Sequence, residues 1–250
     1  MRNFQNKVVV VTGATSGIGR ATALAFAAAG ARVVGAGRDQ ARLGELAEHL
    51  DCCLSLDLCR PESREIFVAA VLDRYGGVDV LVNNAGIGMF AGLEHTSEAE
   101  LRRLMEVDFF GTVALAQAFA GSLKARKGVL VQVASVAGLR GYPRHTAYCA
   151  AKHALIGWSA ALREEWVGSG ASVVVVCPPA VDTPFFVNAG YLNFEQDHPG
   201  LRRMSAEEVA EALVEATAAR RRLVVVGTRA KLLYGLSLVA PGLLERIRRR

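Results

Sequence analysis

The stretch from Val8 to Gly30 constrains the fold most strongly, because it joins a strand pattern directly to a glycine-rich turn and a helix. Val8 to Val11 is a β-branched run of the kind found in parallel strands that are covered on both faces. Thr12-Gly13-Ala14-Thr15-Ser16-Gly17-Ile18-Gly19 follows at once, and an Ala-rich helix then ends at Gly30. This order indicates a phosphate site, because glycine lets the backbone approach a pyrophosphate and the helix N-terminus favours its charge.

The glycine spacing in this turn is Gly-x-x-x-Gly-x-Gly, carried by Gly13, Gly17 and Gly19. It differs from the Gly-x-Gly-x-x-Gly of the most familiar dinucleotide fingerprint, so that fingerprint cannot simply be transferred. The alternative is an ordinary glycine-rich turn between a strand and a helix. The flanking elements favour the phosphate site.

Strand and helix patterns alternate along the rest of the chain. Six further strands are predicted, at Arg32 to Ala36, Cys52 to Leu56, Val78 to Val82, Val129 to Val133, Val173 to Val176 and Leu223 to Val226. Right-handed helical crossovers between such strands predict a single doubly wound α/β domain, with a seven-stranded parallel sheet and helices on both faces.

Several residues predict where helices begin. Asp39 is expected to cap a helix that runs towards Leu50, and Pro61 opens one that reaches about Tyr75. Ser205 precedes two acids at a third helix start. Thr96-Ser97-Glu98 is expected to begin a long helix with a mostly buried stripe of Leu101, Leu104, Met105 and Phe109. The helix that carries the later catalytic candidates is expected to open at Tyr148.

Composition excludes several classes of protein. A chain of 250 residues with 52% hydrophobic residues can bury a sizeable core, and no repeat or linker divides it. The cysteines are odd in number and lack zinc-ligand spacing, so we expect no bound metal. We also expect the thiols to be reduced and mostly buried, namely those of Cys52, Cys53, Cys59, Cys149 and Cys177. No apolar run reaches the roughly 18 residues that span a bilayer, and the chain enters a strand where a signal peptide would lie, so we expect a cytoplasmic protein.

The net charge of +5 is concentrated at the end of the chain. Residues 220–250 hold nine basic residues and one acid, whereas the preceding 219 residues hold 20 basic and 23 acidic residues. No base-stacking module or recognition-helix pattern accompanies the charge, so we expect no nucleic-acid partner.

The end of the second strand indicates the choice of cofactor. It reads Gly37-Arg38-Asp39 and lacks, at position 37, the acid that would bind the ribose 2′-hydroxyl of NAD. Arg38 can instead pair with the 2′-phosphate of NADP. The alternative for Arg38 is a solvated loop cation, but NADP(H) is the better prediction and NAD(H) the second.

Three further sites follow later strands. Asn83-Asn84-Ala85-Gly86 suits close approach to a cofactor, although Asn is also simply a good turn residue. Ser135 comes at the carboxyl edge of the fifth strand, where ligands bind in open parallel sheets.

Thirteen residues after Ser135, Tyr148 and Lys152 lie four apart and therefore on one face of a helix. A cation beside a phenol favours the phenolate, so we expect a tyrosine proton available nearer to neutral pH. Chance spacing is the alternative.

Taken in order, these motifs resemble the classical short-chain dehydrogenase/reductase family over about residues 5 to 228. The resemblance rests on Thr12-Gly-x-x-x-Gly-Ile-Gly19, Asn83-Asn-Ala-Gly86, Ser135, Tyr148-x-x-x-Lys152 and a proline-rich turn that reaches Thr183. It implies a Rossmann sheet and hydride transfer between the nicotinamide C4 and a carbonyl or alcohol carbon.

The resemblance also implies roles for individual residues. Tyr148 would protonate the carbonyl oxygen that Ser135 polarises, and Lys152 would hold the nicotinamide ribose and stabilise the phenolate. The implied cofactor-binding residues are Gly13, Thr15, Ser16, Gly17, Ile18 and Gly19 at the pyrophosphate, Arg38 at the 2′-phosphate, Asp57 and Leu58 at the adenine, Asn84, Ala85 and Gly86 at its ribose, Tyr148 and Lys152 at the nicotinamide ribose, and Val181 and Thr183 at the carboxamide.

Two positions depart from the family pattern. Asp108, which we include in the catalytic set, stands where the proton relay of the family normally has asparagine, and it adds a carboxylate near Lys152. Pro179 stands where the family usually has glycine, which removes an N–H close to the nicotinamide. We expect activity to survive both changes.

These observations favour an NADP(H)-preferring oxidoreductase acting on a carbonyl or secondary alcohol. An apolar substrate is expected from the pocket-side candidates Ile87, Met89, Phe90, Leu139, Tyr142, Phe185 and Phe186. The alternative is a nucleotide-binding sensor or scaffold that has lost turnover. By analogy with the family we expect a homodimer or homotetramer.

We expect residues 1–230 to form the catalytic domain, with a lid at about 182–204, and residues 231–250 to form a basic, apolar extension. The extension has three alternative roles: peripheral contact with an anionic bilayer, closure of the substrate pocket, or packing on a partner subunit.

Overall fold

Seven strands form the centre of the structure, a computed structural model that describes residues 4–189 and 203–240. The strands are β1 (Val8–Thr12), β2 (Arg32–Gly37), β3 (Cys52–Ser55), β4 (Val80–Asn83), β5 (Val129–Val133), β6 (Ser172–Cys177) and β7 (Leu223–Val225). Their order in the sheet is β3-β2-β1-β4-β5-β6-β7, and every pair is parallel. The predicted single doubly wound α/β domain is thus confirmed.

Helices cover both faces of this sheet. They are α1 (Gly17–Ala28), α2 (Gln40–Ala47), α3 (Pro61–Tyr75), α4 (Glu98–Met105), α5 (Thr112–Ala125), α6 (Thr146–Glu165), α7 (Phe185–Asn188), α8 (Ala206–Ala218) and α9 (Thr228–Val239). Within residues 4–189 and 203–240, none of them is long and apolar enough to cross a membrane.

The surroundings of β1 explain why its sequence does not alternate between apolar and polar residues. Val9 and Val11 pack on one side with Phe26 of α1, whereas Val8 and Val10 pack on the other side in a separate apolar cluster. All four valines are at most 3% exposed. Successive side chains of a strand point to opposite faces, so a strand that is covered on both faces needs an apolar residue at every position.

Local signals set most helix boundaries as predicted. Asp39 caps α2 by accepting a hydrogen bond from the Arg42 amide at 3.1 Å, and Pro61 occupies the start of α3. Ser205 forms a capping box with Glu208 at the start of α8. The Asp39 and Ser205 side chains accept hydrogen bonds from backbone N–H groups that have no partner within the helix. The fixed φ of Pro61 is suited to the first turn of a helix.

The predicted long fourth helix starts at Glu98 as expected, but it is not α-helical throughout. α4 ends at Met105, a π-helical segment spans Glu106–Gly111, and α5 begins at Thr112. Leu104 is buried, but Leu101 is 37% exposed, so the expected core stripe was wrong at that residue. The wider π turn changes the direction in which side chains leave the helix, and a simple 3.6-residue period does not follow that change.

Other differences are smaller. The cysteines are free as expected, but Cys52 and Cys53 on the edge strand β3 and nearby Cys59 are only partly buried. α2 ends at Ala47, before the expected Leu50, and α6 begins at Thr146, two residues before Tyr148. An edge strand has a neighbour on one side only, which explains why "mostly buried" was wrong for three of the five thiols.

Asp79 is a buried carboxylate at the end of the sheet opposite the strand C-termini. The Asp79 side chain is 10% exposed and lies 3.0 Å from both Lys7 Nζ and Arg126 Nη1. It also accepts a hydrogen bond from the Val8 amide at 3.0 Å. Burial alone would raise the pKa of Asp79, but this amide and the two cations together hold it below its ordinary value.

We predict that Asp79→Asn lowers the free energy of unfolding by about 2 kcal/mol at pH 7, since it removes charge-assisted hydrogen bonds from a mostly buried group. The folded-state pKa of Asp79 lies below the unfolded value. Its contribution is therefore present above about pH 4 and is lost as the pH falls through the folded-state pKa. Urea unfolding between pH 3 and pH 7 measures both effects.

Glu98→Gln is the matched control for this experiment. Glu98 pairs with Arg102 at 2.7 Å on α4, but both side chains are at least 75% exposed. Its loss should change stability by about 0.5 kcal/mol or less. Equal effects of the two substitutions would contradict the assignment of Asp79 as a structural anchor.

Candidate active site

A cleft of about 1610 Å³ lies at the carboxyl ends of the strands. The strand order reverses between β1 and β4, and this reversal leaves a crevice because the connections after the two strands run in opposite directions. Seventeen of the eighteen predicted site residues line the cleft: Gly13, Thr15, Ser16, Gly17, Ile18, Gly19, Arg38, Asp57, Leu58, Asn84, Ala85, Gly86, Ser135, Tyr148, Lys152, Val181 and Thr183. Asp108 lies behind its wall.

The glycine-rich turn has a backbone conformation that residues with a side chain rarely adopt. Gly13 and Gly17 have φ of +65° and +51°. A Cβ at Gly19 would lie 2.1 Å from the Gly13 carbonyl oxygen, so the first turn of α1 touches the end of β1 directly. The turn therefore brings the amides at the start of α1 to the cleft, and this arrangement fits the phosphates of a dinucleotide.

Hydrogen bonds tie this turn to the loop after β4. Thr12 Oγ1 accepts from the Asn84 amide at 2.9 Å and from the Ala85 amide at 3.0 Å. The Asn84 side chain donates in return to the Thr12 carbonyl at 2.8 Å. Asn84 thus holds two loops of the cleft together, and the sequence did not predict this contact.

Arg38 and Asp57 lie at the same end of the cleft. Asp57 Oδ1 accepts from the Cys59 amide at 3.0 Å, which fixes the turn after β3. Arg42 pairs with Asp39 at 3.3 Å. In the part of the chain that the structure describes, Arg38 has no carboxylate partner, so its charge remains available to an anionic ligand.

Ser135, Tyr148 and Lys152 come together at the other end. Ser135 follows β5 and accepts from the Ala137 amide at 3.1 Å, and its hydroxyl lies near the phenol of Tyr148, whose pKa it lowers. Lys152 Nζ lies 5.5 Å from the centre of the Tyr148 ring, and both residues are buried on α6. The predicted phenol and ammonium therefore share one site.

Asp108 reaches this group from behind the cleft. Its Oδ2 lies 2.9 Å from Lys152 Nζ, and the two side chains are 0% and 5% exposed. Oδ1 accepts from the Ile87 amide at 2.8 Å. The sequence placed a carboxylate near Lys152, and the structure shows a direct ion pair.

The expectation of a lowered phenol pKa was wrong for Tyr148 in the folded chain. Burial raises the pKa of Tyr148, and this effect outweighs the lowering by the Lys152 charge, while Asp108 raises the pKa further. Burial also disfavours the Lys152 cation, but the neighbouring Asp108 carboxylate opposes this effect, and the pKa of Lys152 is raised. Lys152 accordingly carries the proton of its pair with Asp108.

Aromatic side chains surround Tyr148 on the substrate side. Phe90 lies 5.7 Å from the Tyr148 ring and stacks on Phe186 at 5.4 Å, measured between ring centroids. Six of the seven apolar pocket-side candidates line the cleft, namely Ile87, Phe90, Leu139, Tyr142, Phe185 and Phe186. Met89 instead packs behind them, against the buried cluster that contains Tyr148.

One wall of the cleft comes from the start of the C-terminal extension, for which closure of the pocket was one of three predicted alternatives. Leu233 and Tyr234 of α9 line it, together with Arg229. α9 starts at Thr228, so it runs across the predicted boundary at residue 230. Gly227, with a φ of +85°, was the available signal for a new helix start.

The predicted lid is described only in part. Phe185–Asn188 forms α7, and residues 190–202 lie outside the described residues. Its two ends are joined, since the Asp182 amide donates to the Met204 carbonyl at 2.8 Å and the Met204 amide donates to Ala180 at 3.1 Å. Pro179 lines the cleft just before, and the Pro178 carbonyl accepts from the Val136 amide at 3.0 Å.

Comparison with known proteins places this geometry in a family context. The family model described as short chain dehydrogenase matches residues 7–190. A protein of Danio rerio named Dehydrogenase/reductase SDR family member 7B is 39% identical over 200 residues, which span 75% of this chain and 65% of that protein. The matched part is therefore slightly less than two thirds of that relative.

Two solved structures are similar over most of the chain. An alcohol dehydrogenase from the archaeon Thermococcus sibiricus, complexed with 5-hydroxy-NADP, is 30% identical with a TM-score of 0.79, over 89% of this chain and 96% of that chain. A short chain dehydrogenase/reductase from Burkholderia phymatum in complex with NAD is 25% identical with a TM-score of 0.85, over 97% of this chain and 96% of that chain. The two ligands differ in type, so these similarities do not decide between NADP and NAD.

We predict that Gly19→Ala weakens the binding of a nicotinamide dinucleotide at least tenfold, about 1.4 kcal/mol, because the new methyl group forces the turn away from Gly13. Gly121→Ala is the control, since a Cβ at Gly121 on α5 meets no atom within 4 Å. Titration calorimetry on both folded variants measures the difference. Unchanged affinity in Gly19→Ala would show that the turn does not hold the nucleotide.

Proposed function

Because this chain belongs to the short-chain dehydrogenase family, we propose that it is an NADP(H)-dependent oxidoreductase acting on a carbonyl or secondary alcohol. One observation carries the proposal: Tyr148, Ser135 and Lys152 meet in the cleft whose other end is formed by the glycine-rich turn. A phenol close to a hydroxyl and an ammonium is an arrangement suited to proton transfer.

The bound nicotinamide would supply the hydride for carbonyl reduction and accept it in alcohol oxidation. Tyr148 donates its proton to the carbonyl oxygen as negative charge develops there, and Ser135 stabilises that charge by hydrogen bonding. Lys152 keeps a positive charge next to the phenolate that remains. The high pKa of the Tyr148 phenol keeps its proton in place at neutral pH, as reduction requires.

The lining of the substrate end supports a largely apolar substrate. Phe90, Phe185 and Phe186 enclose the position next to Tyr148, with Ile87 and Leu139 beside them. Apolar walls exclude water, which strengthens the hydrogen bonds made to the reacting oxygen. They also favour a hydrocarbon group next to the carbonyl.

The position of Arg38 supports NADP(H) over NAD(H). Its guanidinium lies at the end of β2, where the neighbouring Gly37 offers no acid to a ribose hydroxyl. Arg42 also lines the cleft but pairs with Asp39, whereas Arg38 has no carboxylate partner among the described residues, which favours Arg38 as the partner of a 2′-phosphate.

We propose that the start of the basic extension closes the substrate pocket. Leu233 and Tyr234 contribute to the cleft, and Tyr234 and Ala230 pack with Leu139 in one apolar cluster. Their placement supports pocket closure over the two other roles considered for residues 231–250. The homo-oligomeric state and the cytoplasmic location stay predictions.

We predict that Tyr148→Phe reduces turnover by a factor of about 10³ or more, since it removes the proton donor and keeps the ring. NADPH oxidation with a panel of apolar ketones and aldehydes is the measurement, and calorimetry checks that the variant still binds NADPH. Wild-type protein that binds NADPH and turns over no compound would favour the sensor or scaffold. Turnover independent of Tyr148 would contradict the proposed mechanism.

We predict that Arg38→Asp lowers the ratio of NADP(H) to NAD(H) efficiency at least tenfold, because it replaces the 2′-phosphate partner by an acid that repels it. Arg102→Asp makes the same charge change on α4, where the side chain is 78% exposed and does not line the cleft. The kcat/KM values for both cofactors measure the ratio. An equal ratio in both variants would show that Arg38 does not select the phosphate.

A further inference from the structure

The buried ion pair between Asp108 and Lys152 is a feature that the resemblance did not supply. The family position normally holds asparagine, whereas this chain places a carboxyl oxygen 2.9 Å from Lys152 Nζ. Burial raises the pKa of Asp108 above its ordinary value, and the Lys152 charge and the Ile87 amide oppose that rise by favouring the carboxylate. Both side chains are almost completely removed from solvent. Water screens a pair in such a place weakly, so its field acts on neighbouring groups.

Three local features place this carboxylate. The π-helical segment Glu106–Gly111 carries Asp108 inward, and Thr112 Oγ1 donates to the Val107 carbonyl at 3.0 Å across the wide turn. The Ile87 amide fixes Oδ1. Gly86 leaves the necessary room, because a Cβ there would lie 3.1 Å from Asp108 Oδ2. Asp108 thus links the loop after β4 to the catalytic helix α6.

We propose that Asp108 is a positioning residue that holds the Lys152 ammonium directly through its carboxylate and thereby sets the pH range in which Tyr148 acts as an acid. This inference rests on the proposed function. Asp108 does not line the cleft, so it acts through Lys152 and not on the substrate.

The neighbouring groups make the sign of the effect clear. Lys152 and Tyr148 face Asp108 from α6, and the loop after β4 presents the uncharged Ile87 amide and Gly86. Cys177 at the end of β6 is also near Lys152, but burial raises the pKa of its thiol to about 12, so it is neutral. The carboxylate offsets the ammonium and opposes ionisation of the phenol. The site therefore retains the Tyr148 proton to higher pH than it would with an uncharged residue at position 108.

The test compares Asp108→Asn with the full-length wild-type protein. Asparagine has nearly the same shape and can still accept from the Ile87 amide, but it lacks the charge. We expect the alkaline limb of kcat/KM for NADPH-dependent carbonyl reduction to move to lower pH by about one unit or more. A uniform loss of kcat/KM at every pH, with the limb unmoved, would mean that Asp108 only supports the structure and would overturn the proposal.

Asp79→Asn is the matched control. It removes another buried, ion-paired carboxylate, but at the opposite end of the sheet from Tyr148. Its stability falls, and the alkaline limb should coincide with that of the wild type. A limb that moves equally in Asp79→Asn would attribute the shift to general destabilisation and would also overturn the proposal.

A measurement without turnover separates this inference from the proposed function. The phenolate absorbance near 295 nm is titrated for the wild type and for Asp108→Asn, and the same titration of each Tyr148→Phe version is subtracted. We expect the Tyr148 component to appear at lower pH in Asp108→Asn, whether or not any substrate is reduced. Coincident components would overturn the role of Asp108, even if wild-type turnover supported the enzyme assignment.

Discussion

The parallel pairing of β1 with β4 at the centre of the sheet determines where a site can form. Val9 to Val11 lie in register with Val80 to Val82, and the strand order reverses at this pair. The chain leaves the two strands towards opposite sides of the sheet, which opens a crevice at their carboxyl ends. Thr12 and Asn84 then join the two loops by hydrogen bonds, so the glycine-rich turn has a fixed wall opposite it.

The electrostatics of the site depend on this rigid framework. Burial of Asp108 and Lys152 is costly unless each charge has a partner at close range. The Ile87 amide, the π segment and α6 supply that geometry because each is anchored in the packed layers on the sheet. A phenol placed beside the pair experiences the field of both charges, and the balance between them decides how readily it loses its proton. The substitution of a single charged residue at position 108 is therefore a larger change here than it would be on the surface.

Features that depend on local sequence were predictable. The valine runs, the glycine-rich turn, the Asp39 and Ser205 caps and the sheet itself follow from side-chain alternation, backbone freedom and unpaired helix amides. The position of the cleft follows from strand order, once the crossovers are assumed to be right-handed.

Features that depend on tertiary contacts were not predictable. The π segment lies within a helix whose apolar period gives no sign of it. Leu101 on α4 is exposed, although its spacing also placed it on the apolar face. The direction of the Tyr148 pKa shift depends on how completely burial and Asp108 offset Lys152, and a spacing of four residues contains no such information. Leu233 and Tyr234 were assigned to an extension because their contact with the cleft exists only in the folded chain.

Deuterium transfer tests directly whether a hydride is transferred to the substrate in this cleft with Tyr148 as the proton donor. NADPH deuterated at the transferring position of C4 is incubated with an apolar ketone that the protein reduces, and the product alcohol is analysed by mass spectrometry. We expect one deuterium on the former carbonyl carbon of the alcohol that the wild type forms, and no such product from Tyr148→Phe. An alcohol without deuterium, or deuterated product formed equally by Tyr148→Phe, would contradict it.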